Sequence, residues 1–157
     1  MNRGFTIIEL MIVVVLVAIF ASLAAPSMRD LVAAAAVRNA ASEFYSALVA
    51  ARSEAIKRRA NATIAPVGAT WDTGWTVTLG GNTFQRSDAV SPRVAIQVAA
   101  TTPIVYAMNG RVSSGAQTIV FYNAANLVVA ARCVSIDPNG LPRIRSDSNH
   151  DPTDGCN

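Results

Sequence analysis

The sequence predicts an α+β fold. One long N-terminal helix, hydrophobic and then amphipathic, precedes a C-terminal antiparallel β domain packed on the helix's second half. Three observations predict it. From Phe5 to Met28 the only ionisable side chain is Glu9, and the polar exceptions are Thr6, Ser22 and Ser27. Residues 29–60 then place apolar side chains three to four apart, the period of one helix face. Beyond Asn61 the pattern turns to short alternating runs separated by turn residues. A helix followed by a run of strands is the α+β order.

The first element, 5–28, is long enough to cross a bilayer, which takes roughly 20 apolar residues. A charge inside such a segment costs about 3 kcal/mol or more, so Glu9 needs a partner. If the leader 1–4 is removed after Gly4, Phe5 gains a free amine one helical turn before Glu9, and i, i+4 side chains are neighbours. A related subunit could supply that amine instead. The helix is expected to continue with a bend through Pro26, which removes one backbone bond. The Ala33–Ala36 run is a strong helix former.

In the amphipathic element, 29–60, Val37, Ala41, Phe44, Leu48, Arg52 and Ile56 mark the packed face, with Tyr45, Val49 and Ala55 beside them. Asn39, Glu43, Ser46, Ser53, Glu54 and Lys57 mark the other. Together the two elements make one helix of about fifty residues, roughly 75 Å at 1.5 Å per residue. Lys57, Arg58 and Arg59 near its end complement the helix dipole, and Glu54 is placed to pair with Arg58.

The β domain, 61–157, is read from alternation and turns. Trp75, Val77 and Leu79 alternate with threonines, and Gly80-Gly81-Asn82 predicts a hairpin into 83–86. Val94, Ile96 and Val98 predict another strand. Runs at 103–107, 118–122 and 127–136 complete the set, divided by Asn109-Gly110, Ser113-Ser114-Gly115 and 123–126. Trp71 and Trp75 are expected to cover the apolar helix face.

The 157-residue chain has a formal net charge of +3. From Ala60 onward, however, Arg86, Arg93, Arg111, Arg132, Arg143 and Arg145 balance Asp72, Asp88, Asp137, Asp147, Asp151 and Asp154. The β domain therefore has no broad field favouring nucleic acid. Both cysteines, Cys133 and Cys156, lie near the C-terminus. Export of the domain would place them in an oxidising compartment and favour a disulfide holding the tail. Free thiols or a metal pair lack supporting ligands, since His150 is the single histidine.

Met1-Asn2-Arg3-Gly4-Phe5-Thr6-Ile7-Ile8-Glu9-Leu10 resembles the class III signal and N-terminal helix of type IV pilins and type II secretion pseudopilins. An ordinary secretory peptide places its cleavage site after the apolar run; here the site precedes it. The resemblance implies cleavage after Gly4 by a prepilin peptidase, methylation of the Phe5 amine, and a role for Glu9 in guiding the subunit into a filament. Trp71-Asp72-Thr73-Gly74-Trp75, Arg132–Ile136, Asn139-Gly140 and Arg143-Ile144-Arg145 are similar to the GspH/FimT branch, the minor pilins and minor pseudopilins. That branch implies two small antiparallel sheets on the helix and a C-terminal disulfide.

No catalytic site is expected: a nucleophile elbow, a phosphate-binding glycine loop and a metal-spaced histidine cluster are all missing from the sequence. No cofactor and no metal are implied. Arg143 and Arg145, two apart, should project from one side of an extended segment and could clamp phosphates. Some FimT-like pilins bind DNA through Gly-Arg-x-Arg, whereas this chain reads Gly140-Leu141-Pro142-Arg143-Ile144-Arg145. The alternative is that the arginines pair with Asp147, Asp151 and Asp154 and fasten the tail. Asp147-Ser148-Asn149-His150-Asp151 has the alternating oxygens that open a calcium loop, but Pro152 stands where glycine makes the turn and the distant Glu is missing.

The resemblance thus implies a minor pilin of a type IV pilus, acting in assembly and initiation at the tip with other major and minor pilins. It would sit first in the inner membrane with its C-terminal domain periplasmic, then in the extracellular pilus. Two alternatives stand beside it: a minor pseudopilin of a type II secretion system, and a DNA-binding pilin for uptake in natural transformation.

Overall fold

The computed structural model describes residues 6–149, 151–154 and 156, with the side chains of 23–27 outside that description. Helix α1 runs Ile7–Arg58 and is helical through Pro26. Its start follows from the sequence Thr6-Ile7-Ile8-Glu9. The Glu9 backbone N–H donates to Thr6 Oγ1 at 3.3 Å, which is the first half of a capping box. Its end is set by Arg59, which adopts φ 50°. The Ala60 N–H then reaches back to the Ala55 carbonyl at 3.2 Å, the bond that closes a Schellman-type terminus. Glu54 accepts from Arg58 Nε at 2.7 Å and lies 3.6 Å from Lys57 Nζ, as the i, i+4 and i, i+3 spacings predict. The Arg58 hydrogen bond holds the Glu54 carboxyl below its ordinary pKa.

The chain divides into two compact units, residues 1–32 and 33–157. In the first, the large apolar side chains from Ile7 to Phe20 are solvent-exposed, Ile7 by 80% and Phe20 by 67%. In the second, α1 buries Ala33, Val37, Ala40, Ala41, Phe44, Ala47, Leu48, Ala51 and Ala55. The face is thus richer in alanine than the large residues alone suggested. Val49 and Ile56 are 43% and 47% exposed, so they flank the packed face rather than form it.

Nine strands follow among the described residues: β1 Ala62–Pro66, β2 Trp75–Leu79, β3 Asn82–Ser87, β4 Ala95–Val98, β5 Ile104–Tyr106, β6 Val112–Ser114, β7 Thr118–Tyr122, β8 Arg132–Ile136 and β9 Pro142–Ser146. They form two antiparallel sheets, ordered β3-β2-β1-β5-β6 and β4-β7-β8-β9. The β2–β3 hairpin turns through Gly80 and Gly81 at φ 56° and 86°, the left-handed pair that a two-residue turn of this hand requires. Leu79 faces Asn82 across it.

Two segments depart from the sequence reading. Ser113-Ser114, expected as a turn, belongs to β6. This edge strand pairs only with β5, so it does not need apolar residues on both sides, and Ser113 Oγ donates to the Val105 carbonyl at 3.2 Å. The run 127–136 is a strand only from Arg132. Upstream, the side chains of Asn123 and Asn126 accept from the Ala125 and Val128 N–H groups, both at 3.0 Å. Such local side-chain bonds compete with a sheet ladder.

One core joins the helix to both sheets, with Ile64, Trp75, Val77 and Ile104 from the first and Ile119, Phe121, Val134 and Ile136 from the second. Phe44 is its hub. Its ring lies 5.4 Å from Trp71 and 5.0 Å from Trp75, both edge-on, and 5.8 Å from Phe121. The tryptophans therefore cover the helix as expected.

Candidate functional site

The first candidate is the start of α1. Glu9 sits in the first turn and is exposed, where a carboxylate complements the positive end of the helix dipole. Besides the amine partner expected for Glu9, its backbone N–H is thus held by the Thr6 cap, which the Thr-x-x-Glu pattern encodes and the expectation did not include. Gly4 and Phe5 lie outside the described residues. Among the described residues no helix is long and apolar enough to cross a membrane. The span expected at 5–28 includes Phe5 and the side chains of 23–27, which fall outside that description.

The second candidate is the outer face of the second sheet. Opposed residues in an antiparallel ladder share a face. The register aligns Thr118 with Ser135 and Ser135 with Arg143; the next row is Val120, Cys133 and Arg145. Arg143 and Arg145 are both exposed on the edge strand β9, side by side as the spacing predicted. The opposite face of β7 and β8 presents Ile119, Phe121, Val134 and Ile136 to the core.

Cys133 is bonded to Cys156, with Cα atoms 5.9 Å apart. The pair shares a small buried cluster with Val120, Ala131 and Tyr122. This brings the tail over the Arg145 row. A cleft of about 220 Å³ remains, lined by Thr118, Cys133, Ser135, Arg145, Asp154 and Cys156.

Among the described residues no ion pair joins the tail's aspartates to the arginines. Among the described residues the ion pairs are those of Glu54, and neither Arg143 nor Arg145 takes part. Asp147 is buried and its carboxylate makes no hydrogen bond among the described residues. It is held inside because its backbone N–H continues the ladder to the Ala131 carbonyl at 3.0 Å. Asp151 Oδ1 accepts from Thr153 N and Oγ1 at 2.9 and 2.6 Å, which lowers its pKa. Asp154 Oδ2 accepts from Asn149 Nδ2 at 2.6 Å. These oxygens organise turns, and among the described residues no group of three His, Cys, Asp or Glu side chains could hold a metal ion. His150 lies outside the described residues.

A third junction was not anticipated. Arg52 Nε donates to the Gly110 carbonyl at 3.0 Å, tying α1 to the loop after β5. Gly140 (φ 80°) packs so closely on that carbonyl that a Cβ there would overlap it. Tyr106 is buried beside Arg52 and Asp137, and desolvation raises its hydroxyl to about 12.

Comparisons with known proteins agree with this architecture. Residues 40–140 match the family model described as Type II transport protein GspH. Residues 1–25 match the Prokaryotic N-terminal methylation motif. No curated protein matches the chain. Among solved structures, the fold is similar to the type IV minor pilin FimU of Pseudomonas aeruginosa (strain PAO1). One crystal form gives a TM-score of 0.60 at 20% identity over 77% of this chain and 95% of that one. A second crystal form of FimU gives 0.58 at 20% identity, over 76% and 99%. The minor pseudopilin EpsH from the type 2 secretion system of Vibrio cholerae gives 0.57 at 15% identity, over 70% and 96%. With the family model spanning residues 40–140, well over half of its length, the chain belongs to the GspH family, on the fold shared by a minor pilin and a minor pseudopilin.

Proposed function

We propose that this chain is a minor pilin of a type IV pilus, a structural subunit acting in assembly and initiation at the tip rather than a catalyst. The observation that carries the reading is the contrast within α1. Its second half is covered by its own sheets, whereas its first half leaves Ile7, Ile8, Leu10, Met11 and their successors uncovered around Glu9. Apolar area on that scale is stable only against lipid or against other apolar helices.

The subunit is inserted in the inner membrane with its C-terminal domain periplasmic. Arg3 on the short leader agrees with the positive-inside tendency. Prepilin peptidase cuts after Gly4, Phe5 is methylated, and the residues of 5–28 pass from lipid into a bundle of like helices in the pilus. There Glu9 meets the Phe5 amine of a neighbouring pilin, which removes the penalty of a buried unpaired carboxylate. Glu9→Ala tests this: the variant should remain in the membrane fraction and disappear from sheared filaments. Undiminished incorporation would sink the mechanism.

A second reading, a minor pseudopilin of a type II secretion system, is favoured by the family description and the likeness to EpsH. The two separate on which filament's subunits co-purify with the chain after cross-linking.

A further inference from the structure

Two Asn-Gly pairs, Asn109-Gly110 and Asn139-Gly140, carry chemistry that assembly through α1 leaves unused. Both asparagines are exposed, and both glycines are buried where Gly140 packs on the Gly110 carbonyl. The two turns share one backbone plan. Gly110 and Gly140 have φ 76° and 80°, and their N–H groups donate to the Ala107 and Asp137 carbonyls at 2.8 and 2.9 Å. Around the carboxamides the turns differ. Asn109 Oδ1 accepts the Arg111 backbone N–H at 3.0 Å, an Asx turn that folds the side chain over the Gly110 peptide. In the other turn the equivalent N–H, that of Leu141, goes to Asp137 Oδ1 at 3.1 Å instead of Asn139. Charge differs as well. The Arg52 guanidinium lies beside the first turn, its Nε 3.0 Å from the Gly110 carbonyl, whereas the Asp137 carboxylate spans the second.

We propose that Asn109 is a site of spontaneous deamidation and isoaspartate formation, and that the fold selects it over Asn139. The Gly110 N–H gives its proton to a solvent base, and the nitrogen attacks Asn109 Cγ. The Cγ–Nδ2 bond then breaks, ammonia leaves with a proton from water, and a five-membered imide remains. Water opens the imide at Cγ to give aspartate, or at the backbone carbonyl to give isoaspartate. Glycine, lacking a Cβ, leaves the attacking nitrogen unshielded in both pairs. The Arg111 N–H already points at Oδ1, the oxygen that becomes anionic when the nitrogen adds. The Arg52 cation favours loss of the Gly110 proton, whereas the Asp137 carboxylate opposes the same step at Gly140. The two products differ in consequence. Aspartate keeps the backbone and the acceptor for Arg111. Isoaspartate adds a methylene to the backbone, which moves the Gly110 carbonyl away from Arg52 and from Gly140. The junction of α1 with the 107–111 and 137–141 loops then opens. The site goes beyond the filament reading and does not depend on it.

The test uses the full chain, oxidised, in detergent micelles, incubated warm at mildly alkaline pH. Digested samples are followed by the mass gain of amide-to-acid conversion and by isoaspartyl methyltransferase labelling of each peptide. Asn109 should convert several-fold faster than Asn139. In the reduced chain unfolded in urea the two rates should converge, because both asparagines precede glycine and no fold distinguishes them. Asp137→Asn should speed conversion at Asn139, and Arg52→Gln should slow it at Asn109 more than Arg52→Lys, which keeps the charge. The isoaspartate form, separated by chromatography, should show faster amide exchange at 107–111 and 137–141, while Asn109→Asp exchanges as the unmodified chain does. Equal rates at the two sites in the folded chain, or a faster Asn139, would overturn the proposal. So would conversion of neither site in the folded chain when both convert in urea. Unchanged exchange in the isoaspartate form would overturn the claim that the junction opens.

Discussion

Replacing Phe44 with alanine removes the side chain on which helix and both sheets converge. Phe44 is fully buried, with ring neighbours at 5.0, 5.4 and 5.8 Å. Phe-to-Ala changes in cores cost about 3–5 kcal/mol, from lost transfer energy and the cavity left behind. Edge-to-face pairs add roughly 0.5–1.5 kcal/mol each beyond burial. Trp71 and Trp75 are tied to different turns of the chain and cannot both collapse into the gap, so the loss should lie near 5 kcal/mol, at the top of that range. For a unit of this size that is a fall in Tm of roughly 15–20 °C. The assay is thermal and urea unfolding of the oxidised chain in mild detergent, followed by tryptophan fluorescence, since both tryptophans touch Phe44. Val49→Ala, on the same helix but 43% exposed, is the control and should change stability by no more than about 0.5 kcal/mol. A Phe44→Ala cost below about 1 kcal/mol, or equal to that of Val49→Ala, would refute the idea that Phe44 joins the two sheets.

Other outcomes follow from the same contacts. Reducing the Cys133–Cys156 bond, or replacing both residues with serine, should cost about 3 kcal/mol for a sequence separation of 23, read as a drop in the urea midpoint with a slope equal or somewhat steeper, because the denatured chain loses its crosslink. Tyr106, buried and raised from about 10 to about 12, holds its proton more tightly in the folded chain. Its contribution is full below pH 10 and is lost as pH rises towards 12. Tyr106→Phe should flatten that part of the stability–pH curve. Gly140→Ala meets both a positive φ and the Gly110 carbonyl and should cost several kcal/mol; hydrogen exchange should show the 107–111 and 137–141 loops opening first.

Much of this fold was legible because the relevant signals are local. The apolar run, the alanine-rich turn at 33–36 and the Lys57-Arg58 end define α1, and Gly80-Gly81 defines the β2–β3 hairpin. The packed face of α1 differs from the expected one because small residues fill it as much as large ones do. Ala40, Ala47 and Ala51 are fully or nearly fully buried, whereas Ile56 ends up against the Gly110 loop with half its surface open. The β6 edge and the 123–131 loop were missed because pairing on one side only, and side-chain bonds from Asn123 and Asn126, override alternation. At the arginine face, spacing placed Arg143 and Arg145 together. Their partners Thr118 and Ser135 come from strands whose register no local pattern encodes. Among the described residues the alternative of tail pairing is not seen: Asp147 is drawn inside by its backbone bond, while Asp151 and Asp154 accept from Thr153 and Asn149.

The exposed apolar half of α1 is thus proposed as a surface for other pilin helices. Its most direct test is a photo-crosslinking residue at Val13, 51% exposed in the isolated chain, introduced in cells that assemble the filament. The account predicts cross-links to the N-terminal helices of other pilins in sheared filaments, abolished by Glu9→Ala. Cross-links to lipid alone, with the chain absent from filaments that still form normally, would contradict it.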